Sequence, residues 1–149
     1  MKIKYVTTIA NKSLNCIKKH WNDELLSAVS PPFPLLKVMR FDGNTRGSKI
    51  AVELNFLAFK ARIVNEIVEY HEDDQIFTFT DVGAELPPFL KSWKHVHTIE
   101  QKGENCLITD DVDYETGVSA LDLLLYPSFQ GMFLYRQPKY KAYFDKKCL

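Results

Sequence analysis

The sequence predicts an α+β fold in which a curved antiparallel sheet of about six or seven strands surrounds a long C-terminal helix. Three observations lead to this class. The chain has 149 residues, the size of one domain with one hydrophobic core, so residues 1–149 are expected to form a single domain. Residues 35–115 alternate apolar and polar side chains between short polar turns. After Gly117, apolar residues recur at helical spacing.

The N-terminal segment predicts one strand and two short helices. Residues 2–9 alternate, with the apolar positions on one face, as in a half-buried strand. Ser13 is suited to the N-cap of a helix, and Asn22 divides the helical segment into two. Pro31 opens a proline-rich stretch that ends the helices and forces an extended linker. The helical apolar positions are Leu14, Ile17, Trp21 and Leu25.

The central region predicts an antiparallel meander, because most connections between its strands are short. Its strands are expected at residues 36–40, 50–56, 59–70, 76–82, 89–100 and 105–114. The only long apolar helix available to cover this sheet is the C-terminal one, in which Pro138 should produce a kink near Leu134. One helix cannot fill so wide a sheet, so we expect a cavity between them.

Charge and hydropathy exclude several classes of protein. Lys and Arg together number 19, as do Asp and Glu, so the formal net charge is zero. This balance argues against nucleic-acid binding and against a polybasic membrane anchor. No apolar run reaches the length of a membrane span, and the N-terminus does not resemble a signal peptide. A cytoplasmic location is therefore expected.

The three cysteines show no spacing typical of a metal or redox site. Cys16 and Cys106 are expected to be buried as small hydrophobic residues, and Cys148 to be a thiol on a frayed tail. Separate thiols of this kind suit a reducing compartment.

A polar cluster is predicted on the inner face of the sheet. Trp93, His95 and His97 are two residues apart and share one face of their strand. The short turn at Gly103 makes the next strand a neighbour, and that strand carries Asp110 and Tyr114 on one face. A third strand carries Phe79 and Asp81 in the same way.

Three interpretations of this cluster remain open. Buried histidine and carboxylate groups commonly form a structural pair, since unpaired buried charge is costly. A few polar groups in an apolar chamber also suit recognition of a small molecule. The third interpretation is chemical, because His-x-His with a carboxylate is compatible with a metal triad or with acid–base catalysis. The His-x-His motif alone is a weak indication of a metal, and the sequence predicts no metal and no cofactor.

Four motifs accompany this order of elements, namely Phe79-x-Asp81, Pro88-Phe89-x-x-x-Trp93-x-His95-x-His97, Asp110-x-Val112-x-Tyr114 and Phe133-Leu134-Tyr135-Arg136. The order and the motifs resemble the SRPBCC superfamily, which includes the START-like and pollen-allergen-like proteins. The resemblance covers nearly the whole chain and is similar to a bacterial subgroup of stand-alone domains with a Trp-x-His-x-His strand. It implies the helix-grip fold, in which the sheet wraps the kinked terminal helix and two short helices follow the first strand.

The resemblance and the residues together predict binding of a small, mostly hydrophobic or aromatic molecule between sheet and helix, without catalysis. Two alternatives stay open. One is an enzyme similar to a polyketide cyclase or aromatase that uses a His–Asp pair, and the other is a regulatory interaction module. The oligomeric state also stays open, a homodimer included. The candidate ligand-binding residues are Phe56, Phe79, Asp81, Phe89, Trp93, His95, His97, Asp110, Tyr114, Phe129, Met132, Phe133 and Arg136.

Overall fold

A computed structural model describes all 149 residues and contains seven strands and three helices. The strands are β1 (Lys2–Ile9), β2 (Leu35–Phe41), β3 (Lys49–Asn55), β4 (Lys60–Glu72), β5 (Ile76–Glu85), β6 (Ser92–Lys102) and β7 (Asn105–Glu115). The helices are α1 (Leu14–Lys19), α2 (Asp23–Ala28) and α3 (Ser119–Lys147). These elements confirm the predicted α+β class.

All seven strands form one antiparallel sheet in the order β1-β7-β6-β5-β4-β3-β2. Strands β2 to β7 form the predicted meander, and β1 is added beside β7. The caps explain the two short helices, because Ser13 accepts a hydrogen bond from the Cys16 amide and Asn22 accepts one from the Leu25 amide. Helix α3 continues through Pro127 and Pro138, and the kink expected near Leu134 stays a prediction.

The hydrophobic core has two parts of unequal size. The first, which we call the closed end, contains sixteen buried residues from α1, α2, the C-terminal half of α3 and the strands beneath them, including Trp21, Tyr140 and Phe144. The second, which we call the open end, has five buried residues around Phe133 and Tyr114. Helix α3 packs mainly on β1, β7 and α2.

The structure corrects the expectation for two of the cysteines. Cys148 is buried and forms a disulfide bond with Cys16, 132 residues away, so the prediction of a frayed-tail thiol was wrong. Cys16 is only half-buried and is bonded, so the prediction of a buried small hydrophobic residue there was also wrong. The bond joins the end of α3 to α1. Cys106 is a buried free cysteine, as predicted.

Two strand boundaries differ from the predicted ones by more than two residues. β5 continues past Gly83 to Glu85, where a bulge in its pairing with β4 accommodates the extra residues. β6 begins at Ser92 instead of residue 89, because the proline-containing segment before it forms a turn. None of the helices combines the length and the apolar character needed to span a membrane.

Candidate functional site

The predicted polar residues meet in a layer between the two parts of the core. Strand pairing places Asp81 opposite His95 and Asp110 opposite His97. The side chains alternate along each strand, so all four point to the concave face of the sheet. Their exposed fractions are only 2–8%. The structure therefore brings together four of the predicted site residues in a buried cluster.

The two histidine rings lie against each other at a tilt of 31°, and a carboxylate lies at each edge of the pair. The ring centroids of His95 and His97 are 3.6 Å apart. Asp110 Oδ1 lies 2.8 Å from His95 Nε2 and 3.6 Å from His97 Nδ1. Asp81 Oδ2 lies 2.9 Å from His97 Nε2 and 4.0 Å from His95 Nδ1. Each carboxylate thus faces both imidazoles.

The environment of the layer lowers the pKa values of two of its members. Burial alone would raise the pKa of Asp110, but the hydrogen bond from His95 and the positive charges of His95 and Arg136 lower it to about 2. Burial, and next the charge of His95, lower the pKa of His97. Asp110 is therefore a carboxylate, and the layer favours a neutral His97.

Helix α3 contributes two further polar side chains to this layer. The Tyr140 hydroxyl donates a hydrogen bond to Asp110 Oδ1 at 3.4 Å, and burial raises the pKa of that hydroxyl. The guanidinium carbon of Arg136 lies 4.9 Å from the centroid of the Phe133 ring. Arg136 Nε is buried without a hydrogen-bond acceptor, and Thr7 Oγ1 is buried without a partner. Buried polar groups in proteins usually have a hydrogen-bond partner, so these two atoms are exceptions.

An aromatic wall adjoins the polar layer at the open end. The Trp93 ring lies 5.5 Å from Phe129 and 6.5 Å from Phe133, and His95 lies 5.3 Å from Phe133. Tyr114 packs edge-on against Phe129 at 4.7 Å. Met132 is packed against the same group. Phe79, in contrast, stacks on His97 from the closed end at 4.3 Å.

The concave face of β2, β3 and β4 carries an apolar surface that sequence reasoning missed. The pairing aligns these strands so that Val38, Val52 and Ile63 share a face with Asn65, which points inward to Asp81. None of the apolar side chains of this surface is fully buried. The alternation within each strand can be seen in the sequence. The sequence does not show that α3 leaves these strands uncovered. We call the surface the concave patch, and it consists of Leu36, Val38, Val52, Leu54, Ala61 and Ile63.

Phe56 and Phe89 lie at the rim of the sheet, away from the aromatic wall. Phe89 lines a cleft of about 530 Å³ between the start of β4 and the β5–β6 loop. Ala61 of the concave patch and Phe59 also line this cleft. Phe56 stacks on Phe59 with ring centroids 4.7 Å apart. These two candidate residues therefore mark the edge of the concave patch.

Comparisons with solved structures identify the fold. A protein from Arthrobacter aurescens superposes with a TM-score of 0.74 at 14% identity, covering 97% of this chain and 86% of that one. A START superfamily protein from Mycobacterium smegmatis superposes with a TM-score of 0.66 at 9% identity, and the match covers 97% of both chains. Major latex-like protein 151 from Panax ginseng superposes with a TM-score of 0.65 at 18% identity, and the match covers 96% of both chains. No family model and no curated protein sequence matches the chain.

The chain therefore has the helix-grip fold of START-like proteins. This confirms the fold predicted from the resemblance and from the order of elements. Assignment to the subgroup with the Trp-x-His-x-His strand stays a prediction.

Proposed function

We propose that this protein binds a small, mostly hydrophobic molecule between the concave patch and the N-terminal half of α3. The concave patch is the observation that carries the proposal, because its six apolar side chains lie inside the curve of the sheet without being buried. In the N-terminal half of α3, Leu125, Tyr126 and Phe129 are also only partly buried. Incompletely buried apolar surface of this kind is typical of a binding site.

The energetics favour an apolar ligand with one polar end. Covering apolar surface stabilises a complex by about 25 cal/mol for each Å² removed from water. The aromatic wall of Trp93, Phe129 and Phe133 would extend that contact toward the polar layer. Arg136 Nε–H has no acceptor in the protein and would donate a hydrogen bond to a carboxylate or carbonyl oxygen of the ligand.

The other candidate functions have less support. A cyclase-like enzyme would need its substrate to reach the His95–Asp110 pair, and both side chains are buried beneath Phe133 and Tyr140. The interaction-module alternative and a homodimer have no specific observation in their favour. A cytoplasmic location forms part of the proposal, and the Cys16–Cys148 disulfide is uncommon in that compartment.

Native mass spectrometry of the purified protein is the first test. We expect an adduct of roughly a few hundred daltons, the size of molecule that fits a typical ligand pocket. This adduct should disappear after extraction with organic solvent. If no adduct is present, the extracted protein should still bind anilinonaphthalene sulfonate, an aromatic anion that fluoresces in apolar sites. Failure of both measurements would refute the proposal.

A matched pair of variants locates the binding surface. Val52 belongs to the concave patch, and Glu53 is its neighbour on the outer face of β3. Val52→Gln places an amide in the apolar contact and should weaken dye binding about tenfold. Glu53→Gln introduces the same side chain outside and should bind the dye like the wild type. Equal affinity in both variants would place the ligand elsewhere.

A further inference from the structure

The buried His–Asp cluster contains two hydrogen bonds and two longer nitrogen–oxygen contacts. Four such contacts, from 2.8 to 4.0 Å, join His95 and His97 to Asp81 and Asp110. Only His95 Nε2–Asp110 at 2.8 Å and His97 Nε2–Asp81 at 2.9 Å are hydrogen bonds, because the other two contacts exceed hydrogen-bond distance. His97 Nδ1 is buried without a hydrogen-bond partner.

A shift of one imidazole proton would turn a second nitrogen toward Asp81 as a ligand. With the His95 proton on Nε2 and the His97 proton moved from Nε2 to Nδ1, both protons would face Asp110 Oδ1, at 2.8 and 3.6 Å. His95 Nδ1 and His97 Nε2 would then present lone pairs to Asp81 Oδ2. Three electron-donating atoms would converge at this second edge, as they do around a cation.

We propose that Asp81 Oδ2, His95 Nδ1 and His97 Nε2 bind a divalent transition-metal ion, with Zn²⁺ or Co²⁺ as suitable ions. Asp81, His95 and His97 are all buried and place their ligand atoms within 4.8 Å of one another. The carboxylate oxygen is 2.9 Å from one nitrogen and 4.0 Å from the other. Ligands of a tetrahedral zinc ion lie about 3.4 Å apart when the bonds are about 2.1 Å long.

The surrounding residues would orient the three ligands. Asn65 Nδ2 donates a hydrogen bond to Asp81 Oδ1 at 2.7 Å, which leaves Oδ2 directed to the ion. Asp110 would fix both imidazole tautomers from the opposite edge, as carboxylates commonly do for metal-bound histidines. Three protein ligands leave one coordination position for water or for another small ligand.

This site differs from the other cluster of metal-ligating residues in the protein. Cys16, His20 and Cys148 also lie close together, but their two sulfur atoms are joined in the disulfide. Reduction would release two thiols there, and these thiols could bind zinc. Any test of the buried site must therefore keep the disulfide intact.

Titration of the metal-free protein with Co²⁺, without reductant, tests the proposal directly. We expect one ion for each chain, with the visible absorption bands of low-coordinate cobalt, and displacement of Co²⁺ by Zn²⁺. Asp81→Asn keeps the shape of the side chain but removes the charged ligand, and should weaken binding at least about a hundredfold. His20→Gln is the matched control and should bind like the wild type. Because the site is buried, the titration is repeated with protein refolded in the presence of Co²⁺.

A spectroscopic measurement on the unmodified protein covers the case in which Asp81→Asn fails to fold. Addition of Zn²⁺ should shift the imidazole ¹⁵N resonances of His95 Nδ1 and His97 Nε2 and leave those of His20 and His71 in place. The proposal is overturned if neither native nor refolded wild-type protein binds one ion, or if only the His20 resonances respond. Val52→Gln should not change metal binding, so this result is separate from the fate of the ligand proposal.

Discussion

The two ends of α3 carry similar apolar residues, which are buried at the closed end and partly exposed at the open end. At the closed end, Tyr140 and Phe144 are buried, and Trp21 stacks on both of them at 5.7 and 6.2 Å. At the open end, Phe129 and Met132 face inward but keep part of their surface exposed. The short helices α1 and α2 fill the space below the C-terminal half of α3. The apolar side chains of the concave patch, in contrast, are not fully buried.

This difference shows that apolar periodicity alone does not separate a core from a binding surface. Both halves of α3 present an apolar stripe to the same sheet. The deciding factor is whether a third element covers the gap, since burial stabilises the fold only where water is excluded. Stability should therefore depend on the closed end, and ligand binding on the open end.

The largest expected effect is the loss of stability when the closed end is truncated. Phe144→Ala removes a fully buried ring from the largest cluster and should lower the free energy of unfolding by about 4 kcal/mol. Phe129→Ala removes the same ring from the open end, where it is half buried, and should cost only about 1 kcal/mol. Urea denaturation measures both values. Equal losses would contradict the division into two ends.

The polar layer between the ends gives the next effect. Asp110→Ala leaves His95, Arg136 and Tyr140 without their common carboxylate and should cost about 3 kcal/mol, because a buried charge loses its partner. Asp113→Ala is the control on the outer face of the same strand, where its weak contact with the N-terminus is worth about 0.5 kcal/mol or less. Thermal unfolding of the two variants compares these losses. A loss at Asp110 as small as that at Asp113 would show that the layer does not bear on stability.

The parts of this layer that could be predicted from the sequence follow from strand alternation. The spacing of Trp93, His95 and His97 fixes one shared face, and the Gly103 turn makes β7 the neighbour of β6. Which carboxylate meets which imidazole depends on the strand register and the side-chain rotamers, and neither is encoded in spacing. The His97–Asp81 contact is therefore a result of the folded structure.

The parts that could not be predicted involve long separations along the chain. Cys16 and Cys148 are 132 residues apart, and only the return of α3 to α1 brings them together. The concave patch also depends on parts of the chain that are far apart in sequence, because α3 packs mainly on β1 and β7 and leaves β2 to β4 uncovered. No local pattern shows which strands a terminal helix will cover.

Removal of the disulfide tests how the end of α3 is held in place. Cys148→Ser should lower the free energy of unfolding by about 2 kcal/mol, near the lower end for a native disulfide, because Tyr143 and Phe144 already hold this turn of α3. A reductant should lower the melting temperature of the wild type to that of the variant and leave the variant unchanged. A wild type that is insensitive to reductant would show that the bond does not stabilise the closed end.

The smallest expected effect concerns the first turn of α3, at the open end. Val118 provides no side-chain cap there, and Asp122 accepts hydrogen bonds from the Thr116 hydroxyl at 2.7 Å and from the Thr116 amide at 2.6 Å. These bonds lower the pKa of Asp122 in the folded protein. Its contribution to stability is therefore complete above the unfolded pKa of about 3.9 and is lost as the pH falls through the folded value.

Asp122→Asn should consequently melt at a lower temperature than the wild type at pH 7, and the difference should shrink as the pH is lowered from 4 to 2. Asp145→Asn, at an exposed position in the last turns of α3, is the control and should show no such convergence. A melting difference that stays constant over this range would mean that the Asp122 carboxylate does not hold the start of α3. Because the open end depends on few contacts of this kind, even a small change there should alter dye binding more than it alters stability.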